Sequence, residues 1–444
     1  MDGKVTKEQS SFRFYFLLTL LSAVIFIRYG LQINIPRELA LVPIAAIAVL
    51  GTQTEIMAIL MCLIPFHESL DFYIALILVI AVYLIKYYEK IKIGGSFFLM
   101  LLIMLWELLP CFTSSFSPMN LIVSLAPIIA LTLIICSDFS ELDYDFLVRA
   151  VAFAAVVTSL TMLIQIAWIS RFNLVSFLMN LRRLGALSES SIDRLQISGG
   201  MVQTNSLGVI CVIITAALLQ LRSVKRGKKS DIFIMMSLII FGTFTASRTF
   251  LVCLALMVFM MILSRKGIKT KLKFFCLAFI ALIFVVILFS IFFPEKLEYY
   301  VSRFFVKDIT TGRDDLMVAY NRFITKNPEV MFFGVGLQNF GDKLVNEYRV
   351  AANVPHNSIQ EITVAWGIEG LILIAAMTFM LIHSAKKRNP NIKLINYIPL
   401  IILLFKSVAG QLLTSNDTML ALGFAYITMV QSLNEKDALE ENTK

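Results

Sequence analysis

Apolar stretches long enough to cross a bilayer recur along almost the whole chain, separated by short polar breaks. A run such as LAFIALIFVVILFSIFF (277–293) is apolar on every face, whereas a helix at the surface of a soluble core alternates apolar and polar positions every three to four residues. About 20 apolar residues cover the ~30 Å hydrocarbon layer. On this pattern membrane segments fall near 13–29, 36–52, 54–66, 70–86, 96–112, 117–137, 145–168, 199–220, 231–246, 248–264, 273–293, 358–384, 394–412 and 415–432. The fold class expected is an all-α polytopic membrane protein of about 12–14 transmembrane helices. Three regions follow: helices 1–11 over residues 1–293, with an external amphipathic segment near 170–198; a large external loop over 294–357; and C-terminal helices with a cytoplasmic tail over 358–444. No internal repeat stands out.

Composition agrees: 58% of the 444 residues are hydrophobic and only 16% charged. The six cysteines lie in or beside apolar runs without C-x-x-C spacing and read as small core residues, neither metal ligands nor a disulfide framework. The first run follows a tail carrying Lys4, Lys7 and Arg13 and lacks a small-residue cleavage site, so a retained first helix is expected. Charge then sets sidedness. With a cytoplasmic N-terminus, the dense basic loops 86–92, 222–229, 265–273 and 386–393 all fall on the cytoplasmic side, as does the C-terminus. The net charge of +9 is therefore largely topological, and short basic loops without interleaved aromatics do not point to nucleic acid.

Candidate chemistry gathers on the other face. Arg171, Arg182, Arg183 and Arg194 occupy one external segment, and Arg303, Arg313, Arg322 and Arg349 the large loop. Ordinary loop charge explains many of them, but together they offer a cationic surface suited to phosphate, which the guanidinium fork grips in bidentate fashion. Phe172, Val175, Leu178 and Leu181 recur at helical spacing among arginines, the pattern of a helix lying in the membrane interface. Arg248 stands where two outer helix ends meet, and fits both a snorkelling anchor and a phosphate ligand. The stretch RDDLMVAYNRFI predicts a short amphipathic helix ended by KNP, and GVGLQNF a glycine turn. Arg313 at that helix's start opposes the helix dipole unless an anion sits there. Glu107 and Lys406 are intramembrane charges near outer helix ends, read as an ion pair or as functional groups.

The stretch NVPHNSIQEITVAWGIEGLIL places His356 and Asn357 at the entrance of a long apolar run. Ser358 and Glu361 fit a capping box, with the helix beginning at Ser358. His356 is not needed for that cap. A helix N-terminus disfavours imidazolium, so the ring would be neutral and able to accept a proton.

In order along the chain, QTNSLG (203–208), SRT (247–249), TGR (311–313), NPEVMFFGVGLQNF (327–340) and PHNSIQEITVAWGIEGL (355–371) together resemble the O-antigen ligase and Wzy-type polysaccharide polymerase superfamily. The resemblance spans roughly residues 200–372, and the N-terminal third shows no matching motif. It implies a GT-C-like fold and a metal-independent glycosyltransferase without cofactor, at the outer face of the bacterial cytoplasmic membrane, using undecaprenyl-diphosphate-linked oligosaccharide as donor. It also implies that Arg248 and Arg313 bind the diphosphate, that His356 deprotonates or orients the acceptor hydroxyl, and that Asn205, Asn339 and Asn357 position sugars or loops. Arg182 and Arg183 join them as substrate-binding candidates from their place on the amphipathic external segment. The expected function is polymerisation of lipid-linked repeat units into a capsular or O-antigen-like polysaccharide, with membrane lipids, a flippase and a chain-length regulator as expected partners. A ligase sharing the donor site is the alternative. A flippase or secondary transporter fits less well, because polar groups gather at one face instead of at the midplane of repeated halves.

Overall fold

A computed structural model describes residues 7–66, 71–109, 118–183, 204–245, 247–294, 297–298, 301, 313–337, 357–408 and 416–431. The chain is an all-α, membrane-embedded protein: the described residues form helices, and seven of those helices are long and apolar enough to cross a membrane. In hydrocarbon no water is present to satisfy backbone N–H and C=O groups, so an apolar run must bond within itself, which a helix does. In chain order the helices are α1 (Lys7–Ile25), α2 (Leu41–Leu50), α3 (Gln53–Phe66), α4 (Phe72–Tyr87), α5 (Gly95–Leu108), α6 (Pro118–Cys136), α7 (Tyr144–Ile169) and α8 (Leu174–Arg183). They continue as α9 (Thr204–Ser223), α10 (Lys229–Phe244), α11 (Arg248–Ser264), α12 (Ile268–Phe292), α13 (Arg313–Lys326), α14 (Pro328–Phe333), α15 (Ser358–Arg388), α16 (Ile398–Val408) and α17 (Asn416–Val430).

Polar contacts sort the helix ends into two groups. At one end the Gln53 amide donates to the Asp138 carbonyl, Lys92 pairs with Asp138 and Lys90 with Glu141. There too Arg149 pairs with Asp231, Arg226 with Asp145, and Arg388 donates to the carbonyls of Ser137 and Ile135. These are the loops that carry the basic clusters, so this is the basic end. The opposite end holds the starts of α9, α11, α13 and α15. The core lies around α3, where residues 56–64 are all buried, and α9, while α12 sits at the edge with its apolar residues exposed on every side.

Two predicted segments are reshaped. The run 36–52 yields a 3-10 turn (Arg37–Ala40) and the short α2, because Pro36 and Gly51 bound it. The run 358–384 begins a helix as expected, but that helix is broken at Gly367 (φ 75°, ψ −169°).

Candidate functional site

The break in α15 organises the end opposite the basic loops. Carbonyls of residues 364–366 lose their i+4 amide partners there, and a buried carbonyl without a partner is costly. A distant segment supplies the donors. After α14 the chain leaves the helix through Gly334–Leu337, and its amides bond back: Val335 N–H to the Val364 carbonyl at 2.9 Å and Gly336 N–H to the Ala365 carbonyl at 2.8 Å. Trp106 Nε1–H of α5 takes the Trp366 carbonyl at 2.9 Å. The backbones approach so closely that a Cβ on Gly367 would lie 1.9 Å from the Phe332 carbonyl oxygen, and one on Gly334 2.1 Å from that of Ala365. Both glycines also have positive φ, so the residue type is required twice over.

Glu107 closes this arrangement. Its carboxylate is buried and accepts Leu337 N–H at 3.2 and 3.3 Å and Trp366 Nε1–H. The expected pairing of Glu107 with Lys406 is therefore corrected: Lys406, also buried, reaches Ser206 Oγ at 3.5 Å and Thr418 Oγ1 at 3.4 Å instead. Buried hydroxyls and backbone amides serve these charges because the helices that would bring them together face different neighbours.

The start of α15 is tied to α13. Gln360 Nε2–H donates to the Met317 carbonyl at 2.9 Å and to Asn321 Oδ1 at 2.8 Å. Tyr320, beside Asn321, is buried, and burial followed by the nearby Glu361 carboxylate holds its phenol well above the usual value. The helix cap also differs from the S-x-x-E expectation. Asn357 is the N-cap, its Oδ1 accepting Ile359 N–H at 2.9 Å and Gln360 N–H at 3.4 Å. Ser358 is the first helical residue, and Glu361 turns inward and is fully buried. An Asn immediately before a Ser offers two capping side chains, and here the carboxamide is the one that caps.

Of the predicted site residues, Arg248 begins α11 directly after Ser247, whose Oγ caps the helix through Phe250 N–H at 3.3 Å. Phe250 packs against Gly208 and Gly242, where an added Cβ would meet it at 2.8 and 2.2 Å, so α9, α10 and α11 meet closely here. The first turn of α9, with Asn205, abuts the same contact, and Ser206 beside it carries the Lys406 contact. Arg313 begins α13, one helical turn from the Met317 carbonyl that Gln360 engages. Arg182 and Arg183 end α8, whose apolar Leu174, Val175 and Met179 are exposed, as an interfacial helix requires. The side chains of Asn205, Arg182, Arg183 and Arg313 lie outside the described residues, as do His356 and Asn339 entirely. His356 directly precedes the capping Asn357, and Asn339 follows Leu337 by two positions. The structure thus brings the starts of α13 and α15 together and the starts of α9 and α11 together, all at one end of the bundle.

Sequence reasoning gave Gln360 no role, cast Glu361 only as a capping residue, and missed Trp366 and Asn321. The available signal was the carboxylate in LWELLP, whose isolation in an apolar run demands partners. Compared with known proteins, the chain matches no family model and no curated protein.

Proposed function

We propose that this protein joins undecaprenyl-diphosphate-linked oligosaccharide units into a surface polysaccharide at the outer face of the bacterial cytoplasmic membrane. On this reading the basic end is cytoplasmic, both termini lie there, the helices make about 14 crossings in a GT-C-like arrangement, and the segment 294–357 is external. The observation that carries it is the Gln360 bridge, which sets the start of α13, where Arg313 stands, beside the start of α15, directly after His356. Placing a basic fork and an imidazole at two adjoining helix starts, at the end holding Arg248, suits attack on a sugar attached to diphosphate.

In the proposed step His356 takes the proton of the acceptor hydroxyl as its oxygen bonds to the anomeric carbon. The bond from that carbon to the diphosphate oxygen breaks, and undecaprenyl diphosphate leaves with the electron pair. Arg248 and Arg313 stabilise the charge that develops there. The proton passes from the imidazole to water. Gln360, Glu107 and Asn357 act through position, holding the segments on which the reacting groups ride.

The test is purified protein in lipid, incubated with synthetic lipid-linked repeat units with and without a chelator. A ladder of lengthening products, lost in His356→Ala and unaffected by chelator, is expected. Unchanged donor overturns the polymerase reading, transfer of the glycan to a different added acceptor replaces it with ligation, and a ladder from His356→Ala removes the base assignment.

A further inference from the structure

The basic end carries a cavity unrelated to the chemistry above. It opens between the start of α5, the end of α6 and the end of α15, with a volume of about 640 Å³. Lys92, His383, Lys387 and Arg388 line it, and none of the described lining residues is acidic. Two of these cations are already engaged: Lys92 holds Asp138 at 2.7 Å, and Arg388 donates to the carbonyls of Ser137 and Ile135 that end α6. Lys387 and His383 are exposed, and the ring of His383 stacks on Phe379.

The floor is the N-terminus of α5. Its N-cap, Gly94, is extended and makes no side-chain cap, so the first-turn amides of the helix receive no hydrogen bond from the N-cap residue. A Cβ added at Gly94 or Gly95 would meet nothing within 4 Å, so the space beside this helix start is open. Uncapped amides and a helix dipole attract an anion, and here they do so opposite a lysine and an imidazole N–H.

The walls identify the anion's owner. On α15 an outward stripe of Ile368, Ile372 and Phe379 leads straight to His383 and Lys387. On α5 the exposed Leu105, Leu102 and Phe98 lead to Ser96 and Gly95. Both helices therefore pass from surfaces that suit acyl chains to a cationic recess within a few turns, the order of chemistry found along a phospholipid. Basic recesses between membrane helices at the cytoplasmic surface are suited to anionic headgroups. We propose that this cavity binds the phosphate headgroup of an anionic phospholipid, seated on the α5 amides between Lys387 and His383, with its chains along the α5 and α15 stripes.

The test is native mass spectrometry and binding titration of the full chain in nanodiscs of phosphatidylcholine containing graded phosphatidylglycerol, with glycerol phosphate as the soluble arm. Wild type should retain one phosphatidylglycerol in preference to phosphatidylcholine, and Lys387→Ala combined with His383→Ala should weaken that retention at least fivefold. Gly95→Leu should do the same by covering the amides, and its melting temperature should match wild type because its side chain enters open space. Lys269→Ala combined with Lys271→Ala, which removes charge from the same end outside the cavity, should retain the lipid. Equal retention of the two lipids, or wild-type retention by both cavity variants, overturns the site. Glycerol phosphate binding as tightly as the lipid overturns the assignment to a lipid. None of these readouts depends on glycan transfer, so the proposal stands or falls apart from the polymerase reading.

Discussion

Glu107 accepts an amide from a residue 230 positions away, and two of the donors it satisfies, Leu337 N–H and Trp366 Nε1–H, are buried. Replacing it with leucine strands Leu337 N–H and Trp366 Nε1–H, each costing about 1–3 kcal/mol. Glu107→Leu should therefore lower the melting temperature of the purified protein far more than Glu107→Gln, which keeps an acceptor oxygen. The glycines give a sharper contrast. Gly367→Ala must take a left-handed conformation and push its methyl into the Phe332 carbonyl, so a loss above ~2 kcal/mol is expected, with Gly334→Ala similar. Gly94→Ala, extended and in open space, should melt like wild type. These residues also mark where reading the sequence failed. WGIEG inside an apolar run looks like a helix bearing two tolerable glycines, and the reason for the break, Phe332, lies 35 positions upstream. Nothing periodic connects LWELLP to GVGLQ, so Glu107 was legible as unusual but its partners were not.

At the scale of elements, α15 depends on Asn357 for its start and on Gln360 for its link to α13. Removing the cap with Asn357→Ala should cost about 0.5–2 kcal/mol, while Asn357→Ser and Asn357→Asp should recover most of it. If Asn357 also touches the sugar, polymerising activity will stay low in both capped variants, and if capping is its whole role, activity will return with stability. Gln360→Leu should uncouple α13, read as faster amide exchange over residues 313–326 with little change in the transmembrane helices, and, on the proposed function, with loss of polymer. The helices themselves were largely readable: the apolar runs, the amphipathic α8 and the helix RDDLMVAYNRFI appear near their expected places. The short α2 and the choice between neighbouring caps were not, because both turn on which neighbour packs against the helix end.

Across the whole molecule, the loops grouped by positive charge also meet in space, through Lys92 with Asp138, Arg226 with Asp145 and Arg388 with Ser137. Charge alone was enough to pair them, since one missed crossing would have scattered them between the two ends. The sides can be read directly with a membrane-impermeant maleimide, in a background whose native cysteines are replaced by serine or alanine. Lys229→Cys should label only from the cytoplasm and Asn357→Cys only from outside, and the reverse pattern would invert the proposed topology. The basic end should also respond to acid. The Lys92 ammonium and then the Ser140 amide hold Asp138 below the usual carboxylate range. That stabilisation is fully present above the unfolded value of about 3.9 and is lost as pH falls through the lower folded one. The melting-temperature gap between wild type and Lys92→Met should therefore be widest near neutrality and close as pH drops below about 4.

The interruption at Gly367 divides α15 into two lengths with different histories. Residues 368–388 extend ~31 Å at ~1.5 Å per residue, enough to thread the hydrocarbon layer unaided. Residues 358–366 end in carbonyls whose donors lie on α5 and on the stretch after α14. The lower length can enter the bilayer as soon as it leaves the ribosome. The upper length completes its backbone hydrogen bonds only when Trp106 and the stretch after α14 pack against it, so a chain that misassembles at those contacts would lose this length first.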